Sequence, residues 1–113
     1  MKDKHFTILN KRRNGENMKY VLLSADSNPS VYLVPDIVAE NLREYCLEFC
    51  DVWLHKSLHA RKFRVARGFC YNEKDFIEYL NIWIFPHEQS KLVWNNVEKN
   101  IPPKYQGCEW FNF

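Results

Sequence analysis

The sequence predicts a small single-domain α+β fold, a short and mostly antiparallel sheet packed against two helices in the order ββαβα, with one or two later strands. Three features carry this expectation. Two stretches repeat their apolar residues at the helical period, two short runs of strand formers are joined by turn residues, and aromatic side chains are dense enough to fill one core. Eight Phe, six Tyr and four Trp among 113 residues supply that core with few, large groups. An apolar fraction of 46% argues against intrinsic disorder in the body of the chain.

Residues 1 to 17 are polar and basic, with Lys11-Arg12-Arg13 before the turn-like Asn14-Gly15. They are expected to form an N-terminal arm or an extra strand, and the domain proper to begin at Met18. Lys19 to Ala25 and Val31 to Val34, joined by Asp26-Ser27-Asn28-Pro29-Ser30, predict a β-hairpin. Pro35 then suits the opening of a helix, where its missing N–H costs nothing. Asp36 and Glu40 place negative charge near the positive end of the helix dipole.

The stretch from Pro35 to about His55 is the strongest helical pattern. Val38, Leu42, Tyr45, Cys46, Phe49, Val52 and Trp53 fall on one side at about 100° per residue. Continuing that wheel puts Lys56 among the apolar residues, so the helix is expected to stop near His55, with Lys56 to Lys62 as a loop. Phe63 to Tyr71 alternates like a half-buried strand until Gly68 disturbs it. Asn72 with Asp75 three residues on predicts a capped second helix bearing Phe76, Ile77, Leu80, Trp83 and Ile84 on one face, ended by Pro86. Lys91 to Trp94 is a candidate strand, and the aromatic terminus Glu109 to Phe113 either pairs with the sheet or covers the core.

Sixteen basic against fourteen acidic residues leave a net charge of +2, too small to imply nucleic acid or an anionic membrane from the total alone. No run approaches the roughly 18 apolar residues of a membrane span, and the N-terminus lacks a secretory core, so a cytoplasmic protein is expected. The three glycines are too scattered for a phosphate loop, and HExxH, EF-hand and nucleophile-elbow patterns are absent. A thiol enzyme would need Cys70 beside His5, His55, His59 or His87 in a cleft that lowers its pKa.

Three constellations remain. Cys46 and Cys50 sit at i, i+4, a spacing that lets two thiolates share one ion, and His59 with Cys70 or Cys108 would complete a structural zinc site if the chain folds back after His55. With no paired CxxC knuckles, the same cysteines also read as small core residues. Glu40, Glu44, Glu48 and Asp51 fall within about 80° of one another, opposite the apolar face. This stripe suits a basic protein surface; an ordinary solvated face is the plain alternative. Between Val52 and Asn72 no acidic residue occurs, while Lys56, Arg61, Lys62, Arg64 and Arg67 are basic and interleaved with Phe63, Phe69 and Tyr71. That segment is a candidate for direct nucleic-acid binding, or a solubilising face paired with acids elsewhere.

The segments KYVLLSADSNPSVYLVP and CYNEKDFIEYLNIWIFP, with the cysteine-bearing helix between them, resemble parts of short accessory proteins carried by bacterial mobile elements, a pool that includes anti-CRISPR proteins. The likeness covers about the central 70 residues and rests on general character. It implies a small non-catalytic inhibitor binding Cas9 or a similar host nuclease. Some such proteins use acidic surfaces to occupy nucleic-acid-binding regions. No binding residue is implied by position.

Overall fold

Strand β1 (Met18–Ser24) and strand β2 (Ser30–Pro35) form the expected antiparallel hairpin, with Val21 opposite Tyr32 and Leu22 opposite Val31. The computed structural model describes residues 17–95 and 100–113, so the expected basic arm lies outside the described residues apart from Asn17. Asn17 ties the start of the hairpin to the first helix by accepting from Asp36 N at 2.8 Å. The hairpin turn places Asp26 at φ 60°, a left-handed conformation that a short polar side chain tolerates.

The first helix runs from Asp36 to Lys56, one residue past the expected end, but it is not uniform. Its first segment, α1 (Asp36–Glu40), stops at Asn41, where φ −131° and ψ 40° break the spiral. Asn41 Nδ2 donates to the Ile37 carbonyl at 2.9 Å, supplying from the side chain a bond that the backbone has lost. Segment α2 (Leu42–Leu47) follows, then a π-helical turn over Glu48–Trp53, then α3 (Leu54–Lys56). Within the π turn Leu54 N donates to Phe49 O, five residues back. The widened turn brings Leu54 into the core at 0% exposure and leaves Lys56 in solvent. This is why Lys56 does not end the helix as the uniform wheel requires.

The segment expected to be a loop is a 3₁₀ helix, Leu58–Phe63, whose start is capped by Ser57 Oγ accepting from His59 N at 3.1 Å. The strand expected over Phe63 to Tyr71 is corrected to a miniature hairpin, β3 (Arg64–Val65) and β4 (Gly68–Phe69), which forms its own two-stranded sheet. Gly68 at φ 139° permits the reversal, and it is the residue that breaks the alternation. With Val65 exposed, the alternating pattern here describes a surface turn.

The second helix begins as expected. Asn72 Oδ1 accepts from Lys74 N and Asp75 N, and Asp75 Oδ2 accepts from Asn72 N, completing a capping box on α4 (Glu73–Tyr79). A second π turn, Leu80–Ile84, ends with Phe85 N donating to Leu80 O at 2.7 Å, just ahead of Pro86. Strand β5 (Lys91–Trp94), a 3₁₀ turn (Pro103–Tyr105) and strand β6 (Trp110–Asn112) complete the described chain.

The main sheet has the order β5-β2-β1-β6, antiparallel except that β6 runs parallel to β1. Val21, Leu23, Tyr32 and Val34 face the helices and join Val38, Leu42, Cys46, Phe49, Leu54, Phe76 and Leu80 in the principal core. Leu22 and Val31 face the other way, under Tyr105 with Ile101 and Cys108 beside it. The terminal strand does both things considered for it. It pairs with β1, and Phe111 and Phe113 pack on the principal core. Buried Ser24 locks it in place, donating to Asn112 Oδ1 at 2.8 Å and accepting from Trp110 Nε1 at 3.0 Å. At the centre of the core Phe49 has its ring 5.1 to 6.0 Å from those of Trp53, Tyr71, Phe76, Tyr79 and Phe113.

Candidate functional site

Of the four stripe carboxylates, the Asn41 break takes Glu40 out of line. Its Oε2 lies 2.7 Å from Lys19 Nζ on β1, an exposed pair that links helix to sheet. Glu44, Glu48 and Asp51 remain along α2 and the π turn. Glu44 and Asp51 are exposed and Glu48 is half-buried. The outer two are seven positions apart on the helix, a span of about 10 Å. Glu48 approaches Tyr79 of the second helix. Burial chiefly, with the Glu48 carboxylate second, pushes the Tyr79 hydroxyl well above the ordinary tyrosine range.

The five basic residues are less uniform than their sequence suggests. Arg64 lays its guanidinium across the carbonyls of Leu54, His55 and Ser57 at 2.9 to 3.3 Å, satisfying the carbonyls that the end of α3 leaves open. Lys62 Nζ is 3.4 Å from Glu78 Oε2 and 5.1 Å from the centre of the Phe63 ring. Lys56, Arg61 and Arg67 are exposed.

The residues expected to share a zinc ion are not brought together. Cys46 is fully buried between helices and sheet, where burial first and Cys50 second push its thiol far above the usual range. Cys50 accepts from Tyr71 Oη at 3.4 Å, and burial raises its thiol against the lowering effect of that bond. His59 does not fold back toward the thiols, because the 3₁₀ helix turns its ring onto Trp83, with centroids 4.2 Å apart and planes at 27°. Cys70 is exposed, and Cys108 belongs to the cluster on the far face of the sheet. Among the described residues no group of three His, Cys, Asp or Glu is placed to hold a metal. His55, a candidate partner for a thiol, packs edge-on against Phe69 instead.

A feature that periodicity does not reveal lies between the 3₁₀ helix and the second helix. Trp53, His59, Phe63, Tyr79, Ile82 and Trp83 line a cleft of about 230 Å³, with Lys62, Asp75 and Glu78 among its walls. Trp83 and Ile82 are exposed at 44% and 49%, although Trp83 belongs to the face expected to be buried. Trp83 lies within the π turn at Leu80–Ile84, where the α-helical period behind that expectation does not hold. The one sequence signal is the density of aromatic residues on both sides, and nothing in their spacing says that they meet.

No protein-family model, curated protein or solved structure matches the chain. No helix among the described residues is long and apolar enough to cross a membrane.

Proposed function

We propose that this is a non-enzymatic binding protein that captures a basic surface of a nucleic-acid-handling protein through Glu44, Glu48 and Asp51. A Cas9-type nuclease is the sharper form of the proposal, and inhibition is the consequence of occupying a surface that otherwise meets nucleic acid. The supporting observation is the succession of three carboxylates along the first helix, Glu44 and Asp51 exposed and Glu48 half-buried, none of which is ion-paired among the described residues. Like charges at helical spacing repel by a few tenths of a kcal/mol per pair, a cost that a complementary surface offsets.

Direct nucleic-acid binding draws less support. Of its five residues Arg64 is engaged with backbone carbonyls and Lys62 is held loosely by Glu78, leaving for phosphates Lys56, Arg61 and Arg67, which make no side-chain hydrogen bond or ion pair among the described residues. The two readings separate in one assay. Added in stoichiometric amount to a Cas9-type nuclease loaded with its guide, the protein is expected to suppress target cleavage, and to leave labelled DNA and RNA unshifted when the nuclease is omitted. Unaffected cleavage would count against the nuclease. A salt-sensitive shift of nucleic acid by the protein alone would replace capture of a protein by the rival reading.

A further inference from the structure

The geometry points to the cleft between the 3₁₀ helix and the second helix as a receptor for an arginine side chain presented by a partner protein. This rests on the reading of the chain as a protein-binding module and adds the side chain that it recognises. The walls are flat and aromatic. His59 stacks on Trp83 at 4.2 Å, while Trp53 lies 5.0 Å from Tyr79 and 6.2 Å from Phe63. Ring faces attract cations, and a planar guanidinium both stacks on them and gives up its hydration more readily than an ammonium.

The carboxylates match. Asp75 and Glu78 stand three residues apart on α4, hence on neighbouring positions of one helix face, and both line the cleft. Glu78 offers the two-pronged fork of arginine a carboxylate at the edge of the aromatic slot, and Asp75, whose Oδ2 accepts from Asn72 N, adds negative charge beside it. The arrangement suits a planar guanidinium better than the single point charge of lysine.

The protein's own Lys62 already samples this chemistry, with its ammonium over the Phe63 ring and against Glu78. Both side chains of that pair are more than half exposed, and the 3.4 Å separation is long for a charged bond. An exposed pair of this kind is weak and easily displaced. Lys62 therefore acts as a placeholder that a better-matched cation swings aside.

The test uses the intact protein and the capped tripeptide acetyl-Gly-Arg-Gly-amide, read by the indole N–H resonances of the four tryptophans. Saturable shifts are expected at Trp53 and Trp83 in the millimolar range, with Trp94 and Trp110 unmoved, and with the lysine and citrulline peptides weaker. Lys62→Met, which removes the internal competitor, is expected to tighten binding by roughly twofold to fivefold. Glu78→Gln should weaken it, and a solvent-exposed substitution leaves the fold intact. Equal shifts from arginine and citrulline, or unchanged affinity in both variants, would overturn the proposal. Because the peptide probes the cleft without a partner, absence of binding refutes the cleft alone, whereas undiminished nuclease capture after charge reversal of Glu44 and Glu48 refutes the stripe alone.

Discussion

Replacing Arg64 by alanine separates its structural role from the phosphate-binding one. The guanidinium serves three carbonyl oxygens: Leu54 O through Nε and Nη2, both at 3.3 Å, His55 O at 2.9 Å and Ser57 O at 3.1 Å. The two longer contacts share one acceptor and count as one bond. Partly exposed bonds are replaced by water on truncation, so each is assigned the low end of the usual range, about 0.5 to 1 kcal/mol. A cation at a helix C-terminus adds a further 0.3 to 1 kcal/mol or so. The sum for Arg64→Ala is about 2 to 4 kcal/mol of lost stability. The conservative change Arg64→Lys should retain roughly half of that contribution, since an ammonium cannot reach three carbonyls in fork geometry. Arg67→Ala, two residues beyond β3, should stay within about 0.5 kcal/mol of the parent. Urea unfolding followed by tryptophan fluorescence measures all three. If Arg64→Ala matches the parent within about 0.5 kcal/mol, the guanidinium is free for phosphates and its assignment here is wrong.

Two further outcomes follow from the core. Phe49→Ala should cost about 3 to 5 kcal/mol, as expected for a fully buried ring, and Phe49→Leu less than half of that; a loss below 1 kcal/mol for the alanine variant in urea unfolding would mean that the aromatic cluster is loosely packed. Burial, helped by the Glu73 carboxylate, raises the Tyr32 hydroxyl from 10.0 to about 12. A raised folded-state pKa leaves stability intact below pH 10 and removes it as the unfolded chain ionises first, by roughly 2 kcal/mol between pH 10 and 12. Tyr32→Phe should flatten part of that alkaline decline in unfolding curves, and an unchanged decline would assign it to other groups.

Much of the fold is legible in the residues. The β1–β2 hairpin follows from alternation with a turn cluster, and the Asn72/Asp75 capping box follows from chemistry confined to three residues. The first helix is legible in extent and in most of its apolar face: Val38, Leu42, Tyr45, Cys46 and Phe49 are buried as its period requires. What fails is the assumption of one constant period. Two π turns and the Asn41 break re-phase the helices, so Leu54 enters the core, Lys56 leaves it and Trp83 comes to line a cleft. Phe49 and Trp53 in the first π turn meet Tyr79 across the helix interface, and such packing is tertiary information. The same limit applies to the sites. The acidic stripe is visible in spacing, but the Glu40–Lys19 pair, the Arg64 contacts and the meeting of His59 with Trp83 all join segments that sequence distance does not relate.

The most direct test of the central claim is charge reversal of Glu44 and Glu48 to lysine, with binding to a Cas9-type nuclease measured by calorimetry at two salt concentrations. The parent protein should bind with an affinity that falls as salt rises, and the variant, folded by circular dichroism, should bind at least roughly tenfold more weakly. Equal affinity of the folded variant and the parent would contradict the account and remove the first helix as the contact surface.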